Sequence, residues 1–317
     1  MLTGTTHLAT ISRMLAHARG LHPRGPPEEA TRLDKVMEIE DTPDLVRPWV
    51  IAAFEGWNDA AEAASAVVDH LMDVWNARVI AAIDPEDYYD FQVNRPTVGV
   101  DENGFRKLTW PSTHVAIASP PDLDHDVILV RGIEPNMRWR GFCAELLACI
   151  DDLGGELVVT LGALLADSPH TRPIPVTGTA TEPDLVDRMK LEQSTYEGPT
   201  GIVGVLQDAC IKLDIPAASY WAAVPHYVAQ PPCPKATLAL IGQIEELLGV
   251  SIPLGDLPED ARAWERGVDE LAEEDEDIAD YVRALEETRD TAELPEASGE
   301  AIAREFERYL KRRGEDS

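Results

Sequence analysis

Side chains able to do chemistry fall in five short runs of this chain. They are Glu55-Gly56-Trp57-Asn58-Asp59, the acidic and aromatic stretch from Asp84 through Tyr88 and Tyr89 to Asp90, and the stretch from Arg131 through Glu134 and Arg138 to Arg140. The last two are Asp167-Ser168-Pro169-His170-Thr171-Arg172-Pro173 and Pro225-His226-Tyr227. Arg131, Arg138, Arg140 and Arg172 gather here in an otherwise acidic chain. Guanidinium groups bind carboxylate and phosphate through paired hydrogen bonds, so one reading is an anion site. The other is a structural network in which the arginines pair with Glu55, Asp59, Glu134 and Asp167 and tie the loops together. His170 and His226 are candidate general bases, although a histidine in a Pro-flanked turn more often bonds to backbone. The candidate ligand-binding residues are therefore Glu55, Asp59, Arg131, Glu134, Arg138, His170, Arg172 and His226. No catalytic residue can be named from spacing alone.

Other signatures are missing. There is no GxGxxG after a strand, no GxxxxGK[ST], and no HExxH, GxSxG or DFG pattern. Gly198-Pro199-Thr200-Gly201 resembles a phosphate loop without its lysine and suits a tight turn into a helix over 202–213, whose N-terminus could hold an anion. Only six lysines occur in the chain, which counts against an ATP-dependent ligase that holds nucleotide phosphates with lysine. Cys143, Cys149, Cys210 and Cys233 form no CxxC and have no histidine at metal-ligand spacing, so reduced core thiols are expected, with no metal and no cofactor.

The elements that must position these runs follow from hydrophobic periodicity. Near-continuous apolar segments at 48–54, 78–83, 114–118, 127–132, 157–164 and 217–223 read as strands. Amphipathic stretches ending near 75 and covering 136–151, 182–193, 203–213 and 234–248 read as helices, the first capped by Asn58 or Asp59. Apolar strands alternating with helices predict a three-layer α/β/α domain around a mostly parallel sheet covered on both faces. All five polar runs follow strands, and ligands of open α/β sheets bind beyond the strands' carboxyl ends. The runs are thus expected to converge on one crevice.

Charge divides the chain into three parts. Residues 1–36 hold five basic and three acidic groups, lack core periodicity and read as a disordered extension or as sequence upstream of a true start at Met37. Residues 37–255 form the α/β domain. Residues 256–317 hold 9 basic and 22 acidic groups and read as a helical extension. In it Trp264, Val268, Leu271, Ile278, Val282 and Leu285 make an apolar stripe broken by the acidic run 273–277. Two short helices fit that break as well as one long one, and Ile302, Phe306, Tyr309 and Leu310 suggest a further helix. The stripe is expected to pack on the body or a neighbouring subunit. A formal charge of −31 from 58 acidic and 27 basic residues repels nucleic acid and anionic membrane surfaces. No apolar run reaches the roughly 18–20 residues of a membrane span, and 1–36 makes a poor secretory signal. A cytoplasmic protein is expected.

FEGWNDA (54–60), RGIEPNMRW (131–139), PHTRP (169–173), YEGPTGIVGVL (196–206) and SYWAAVPHYVAQPP (219–232) together resemble the proteasome-assembly-chaperone family. This is the bacterial and archaeal group similar to the second subunit of the eukaryotic chaperone. The resemblance spans about residues 45–250, and the acidic helical tail resembles the actinobacterial branch. It implies a phosphorylase/hydrolase-like α/β/α fold with a mixed sheet, a homo-oligomer with a trimer as the candidate state, and a protein partner. It carries over no catalytic residue. The chain departs from the hydrophobic-Tyr-X tail with which eukaryotic relatives dock, ending Arg312-Arg313-Gly314-Glu315-Asp316-Ser317. A non-enzymatic partner-binding or assembly factor is the leading expectation. The alternative is a hydrolase- or phosphorylase-type enzyme acting on a small anionic substrate in the crevice.

Overall fold

The computed structural model describes residues 44–293, apart from 181, 183, 184, 187, 188, 190, 194 and 195. Strand β1 (Trp49–Glu55) shows why the layers form. Val50, Ala52 and Phe54 point to one face of the sheet and Ile51 and Ala53 to the other, and all five are buried. An apolar run without alternation can only sit inside a doubly covered sheet. Helices α1 (Ala63–Val74) and α4 (Pro234–Leu248) cover the Ile51 face, and α2 (Trp139–Asp152) and α3 (Ile202–Lys212) cover the Phe54 face. Phe142, Leu146, Leu147 and Ile150 lie on one stripe of α2 and are buried. Each such side chain contributes about 1.5–3 kcal/mol.

The main sheet runs β2 (Arg78–Ala82), β5 (His114–Ala118), β6 (Val127–Ile133), β1, β7 (Leu157–Ala166), β10 (Ala217–Pro225), β8 (Val176–Ala180) and β9 (Glu192–Gln193). Its centre, β6-β1-β7-β10, is parallel. Both flanks turn antiparallel: β5 against β6, β2 against β5, and β8 against β10. The three-layer fold and all six expected strands are present. The mixed character comes from β8 and from β5, which returns directly instead of crossing over through a helix.

Three short elements depart from the sequence reading. Strands β3 (Thr97–Val100) and β4 (Arg106–Thr109) form a separate exposed hairpin without the apolar run that marks a buried strand. β8, Val-Thr-Gly-Thr-Ala, is only half apolar. The expected helix over 182–193 ends earlier: Leu185, Val186 and Met189 are helical, but Glu192 and Gln193 pair with Thr179 and Ala180 as β9.

The C-terminal stripe resolves into two helices, α5 (Leu257–Glu274) and α6 (Glu276–Glu293). Asp275 separates them in extended conformation, and its Oδ1 accepts from Asp277 N at 2.9 Å as the cap of α6. α5 packs on α4, burying Ala261, Val268 and Ala272, and Val282 of α6 is buried as well. Leu271, expected in the same stripe, stands 52% exposed. Residues 1–36 and the stretch around Phe306 lie outside the described residues.

Candidate functional site

β2, β6, β1, β7 and β10 all run in one direction, so the five polar runs do reach the same edge of the sheet. There they divide into two groups. The central group is built on β1 and β6. Arg131 donates from Nη2 to Glu55 at 2.7 Å and from Nε to Asp69 of α1 at 2.8 Å. Burial works against the Arg131 charge, but the carboxylates of Asp69 and Glu55 outweigh it and hold its pKa above the ordinary arginine value. The same guanidinium, together with burial, holds His114 below the usual histidine range, burial being the larger cause.

Glu134 is the hub of this group. Its Oε1 accepts from Asn58 Nδ2 at 2.8 Å and from the backbone N–H of Ile202 at 2.8 Å. Ile202 opens α3, so a carboxylate of the chain itself occupies the anion position at that helix N-terminus. Backbone geometry makes the approach possible. Gly56 has φ +118°, and a Cβ on Gly201 would lie 2.4 Å from the Asn58 amide. Asp59 turns the other way, and its Oδ1 accepts from Ala64 N at 2.7 Å and Ser65 N at 3.3 Å, capping the first turn of α1. Burial, its largest influence, raises the Asp59 pKa despite these bonds. Of the two alternative caps expected, Asp59 is the cap, and Asn58 is a loop tie.

The second group lies at the β7–β10 side and grips the C-terminal helices. His170 is buried; Nδ1 lies 2.7 Å from Tyr227 Oη and Nε2 lies 3.0 Å from Asp269 of α5. Tyr227 Oη also accepts from the backbone N–H of His170 at 2.7 Å, so its own proton is free to go to Nδ1. Burial pushes the Tyr227 hydroxyl up to about 12. Arg172 spans two carboxylates of α6, Glu286 at 3.1 Å and Asp290 at 2.8 Å. Lys235 bonds the carbonyl of His170 and pairs with Glu265 at 3.1 Å. Asp167 faces His226 at 3.4 Å and accepts from Tyr281 Oη at 3.1 Å.

Arg138 stands apart from both groups, exposed and paired with Asp87. Beside it, Tyr88 donates to Glu145 at 2.6 Å and Tyr89 to the carbonyl of Ile133 at 2.8 Å, anchoring the loop after β2. Arg140 is exposed. The single crevice expected for all eight candidate residues is thus two clusters and an outlier. Glu55, Asp59, Arg131 and Glu134 come together, as do His170, Arg172 and His226. Arg172 pairs with α6 rather than with Glu55, Glu134 or Asp167.

Sequence reading missed Asp69, Tyr227, Asp269, Glu286 and Asp290 as partners. Asp69 could have been found, because an acid on α1 one layer above β6 is a natural mate for Arg131. The α5 and α6 acids carry no such signal within an acidic tail. All four cysteines are free and buried, and burial raises Cys143, Cys149 and Cys210 to about 12 and Cys233 to about 11. No group of histidine, cysteine and carboxylate side chains arranged for a metal occurs among the described residues. Nor is any helix among them long and apolar enough to cross a membrane.

Comparison with known proteins fits this architecture. No protein of curated description matches the chain. A PAC2 family protein of Streptomyces avermitilis is 60% identical, covering 74% of this chain and 99% of its own, with a TM-score of 0.70. A proteasome-assembly chaperone homologue of Mycobacterium tuberculosis is 54% identical over 74% of this chain and 99% of its own, with a TM-score of 0.67. A Corynebacterium glutamicum protein of unknown function is 28% identical over 81% of this chain and 98% of its own, at a TM-score of 0.71. The PAC2 family pattern matches residues 53–272, from within β1 to the last turn of α5. The match therefore takes in most of the central sheet, the central polar cluster and the β7–β10 cluster as far as α5, but not its α6 carboxylates, and the chain belongs to the PAC2 family.

Proposed function

We propose that this protein is a non-enzymatic, assembly-chaperone-like factor that binds a protein partner, works as a homo-oligomer and resides in the cytoplasm. The observation that carries the reading is the state of the polar edge. Glu55 and Arg131, Glu134 with Asn58 and the α3 N-terminus, and Arg172 with α6 satisfy one another as struts between loops. The arginines of such an edge are already held by carboxylates of the chain itself, which suits a docking platform better than a reaction centre. The exposed part of the edge includes large apolar side chains: Trp57, Met137, Leu164 and Leu165 are 66%, 43%, 45% and 50% exposed. Aromatic and methionine side chains presented on a rigid frame are what protein interfaces favour. The relative from M. tuberculosis, named as a proteasome-assembly chaperone homologue, makes proteasome subunits the first partner to test.

The experiment mixes the purified protein with actinobacterial proteasome α and β subunits and follows complexes by native mass spectrometry. Binding, or a changed rate of particle assembly, weakened by Trp57→Ala, is expected. Absence of any binding, together with turnover of phosphate esters that disappears in Arg131→Ala, would overturn the reading in favour of the anionic-substrate enzyme.

A further inference from the structure

α6 is held to the body in a different way from α5. Of its described side chains only Val282 is buried. The rest of its hold is polar and superficial. Arg172 gives Nε and Nη2 to the two oxygens of Asp290 at 2.9 and 2.8 Å and Nη1 to Glu286 at 3.1 Å. Thr171 donates to Glu286 as well, and Tyr281 Oη donates to Asp167 at 3.1 Å. The Tyr281 ring meets His226 edge to face at 5.3 Å. Ion pairs at a surface are individually weak and are screened by salt. α5 by contrast sits on α4 and buries Ala261, Val268 and Ala272. Only Asp275, in extended conformation, joins the two helices. α6 is also complete in itself: it runs for 18 residues, is capped by Asp275 and carries its own Arg283–Asp280 pair.

The loop beneath α6 is fixed without it. The buried His170 donates its backbone N–H to Tyr227 Oη at 2.7 Å, its ring reaches Asp269 of α5 at 3.0 Å, and Lys235 of α4 holds its carbonyl. Thr171 and Arg172 follow directly on this pinned residue. Among the described residues, every carboxylate on Arg172 comes from α6, whereas Arg131 is held by Glu55 and Asp69 of the body. With α6 lifted, the 170–172 and 226–227 segments present a guanidinium, a hydroxyl and two aromatic rings in fixed positions.

The resident helix defines the chemistry of what fits there. Val282, Glu286 and Asp290 stand at i, i+4 and i+8, on one row of α6. The fitting ligand is thus an amphipathic helix with an aromatic-apolar pair followed by two carboxylates four residues apart. The family pattern ends at 272, so the seat lies inside it and α6 beyond it. We infer that α6 is a releasable strap over a docking seat formed by Thr171, Arg172, His226 and Tyr227, and that an acidic amphipathic helix of a protein partner takes its place. The inference rests on the partner-binding part of the proposed function and gives it a second docking surface, closed until α6 leaves.

Fluorescence anisotropy with a labelled peptide of residues 276–293 tests it on the full chain. A tethered helix competes at high effective concentration, so the wild-type seat should be blocked. Glu286→Gln/Asp290→Asn loosens that helix, and this variant should bind the peptide roughly tenfold or more tighter than wild type. Adding Arg172→Ala to the variant, or putting the same two substitutions in the peptide, should abolish binding. Amide exchange supplies a second measurement: in wild type, α6 should open as one unit while α5 stays protected with the sheet. If exchange shows that the paired substitution disturbs more than α6, Tyr281→Ala in the chain repeats the binding test. A peptide that binds neither chain, binds both alike or ignores Arg172 overturns the seat. Opening of α5 and α6 together overturns the strap. Either failure leaves partner binding through Trp57 standing. Peptide binding without uptake of any proteasome subunit keeps the seat and counts against the proposed function instead.

Discussion

Glu134→Ala tests whether the central cluster is a set of struts. The substitution removes one oxygen that accepts two hydrogen bonds, from Asn58 Nδ2 and Ile202 N, both at 2.8 Å. A hydrogen bond to a charged group is worth about 1.5–3 kcal/mol. Glu134 is only partly buried, so water replaces part of what is lost, and about 2–4 kcal/mol is the expected net cost. A domain of this size loses about 2–4 °C of melting temperature per kcal/mol, which puts the fall near 5–15 °C. Urea unfolding followed by tryptophan fluorescence gives the free energy directly. Glu134→Gln keeps an acceptor oxygen and gives up the favourable charge at the helix terminus, about 0.3–1 kcal/mol. Sulfate supplies the second readout. In the alanine variant the α3 N-terminus loses its resident carboxylate, so sulfate should stabilise it more than wild type, by about 2.7 kcal/mol at a hundredfold excess over its dissociation constant. An alanine variant within about 0.5 kcal/mol of wild type, or one that sulfate stabilises no more than wild type, would refute the strut.

Asp59→Ala should cost about 1–2 kcal/mol, as for the loss of a helix cap, measured by urea unfolding. Burial raises the Asp59 pKa above its ordinary 3.8, so its ionised form is penalised in the fold. Wild type should therefore lose stability as pH rises from 3.8 through the raised value, and Asp59→Asn should lack that decline in pH-dependent melting curves. The opposite sign holds for Asp290, whose pKa the hydrogen bond from Arg172 lowers. That contact contributes in full above 3.8 and fades as pH falls through the depressed value, so amide exchange in α6, relative to the intrinsic rate at each pH, should speed up in acid. Arg172→Ala should give the same fast exchange in α6 at neutral pH with β1 and β6 unchanged; a uniform response along the chain would count against the grip. The four buried thiols should stay silent to a thiol reagent in native buffer and all react in denaturant.

Much of the fold was legible because burial on both faces leaves a simple signature. The segments at 48–54, 127–132 and 157–164 are apolar without alternation, and each became a central parallel strand. Elements that bury little were illegible for the same reason. β3 and β4 are wholly exposed, and β8 holds Thr177 and Thr179 between its apolar ends. Asp275 illustrates an intermediate case. The acidic run announced an interruption, and only the conformation of that residue, with its carboxylate capping α6, chose two helices over one.

Convergence of the five polar runs on one edge followed from strand direction, but their partition into two clusters did not. Pairing distance in the chain explains why. Glu55 and Arg131 lie on neighbouring strands and meet through sheet register. Asp269, Glu286 and Asp290 reach His170 and Arg172 only because α5 lies on α4 and then turns α6 across the 167–173 loop. In a tail with 22 acidic groups any carboxylate could have filled that role, so charge alone selects none. The choice follows from apolar packing of Ala261, Val268 and Val282, which places the helices so that these carboxylates face His170 and Arg172. The arginines of this edge thus serve as fasteners for surfaces that hydrophobic burial has already brought together.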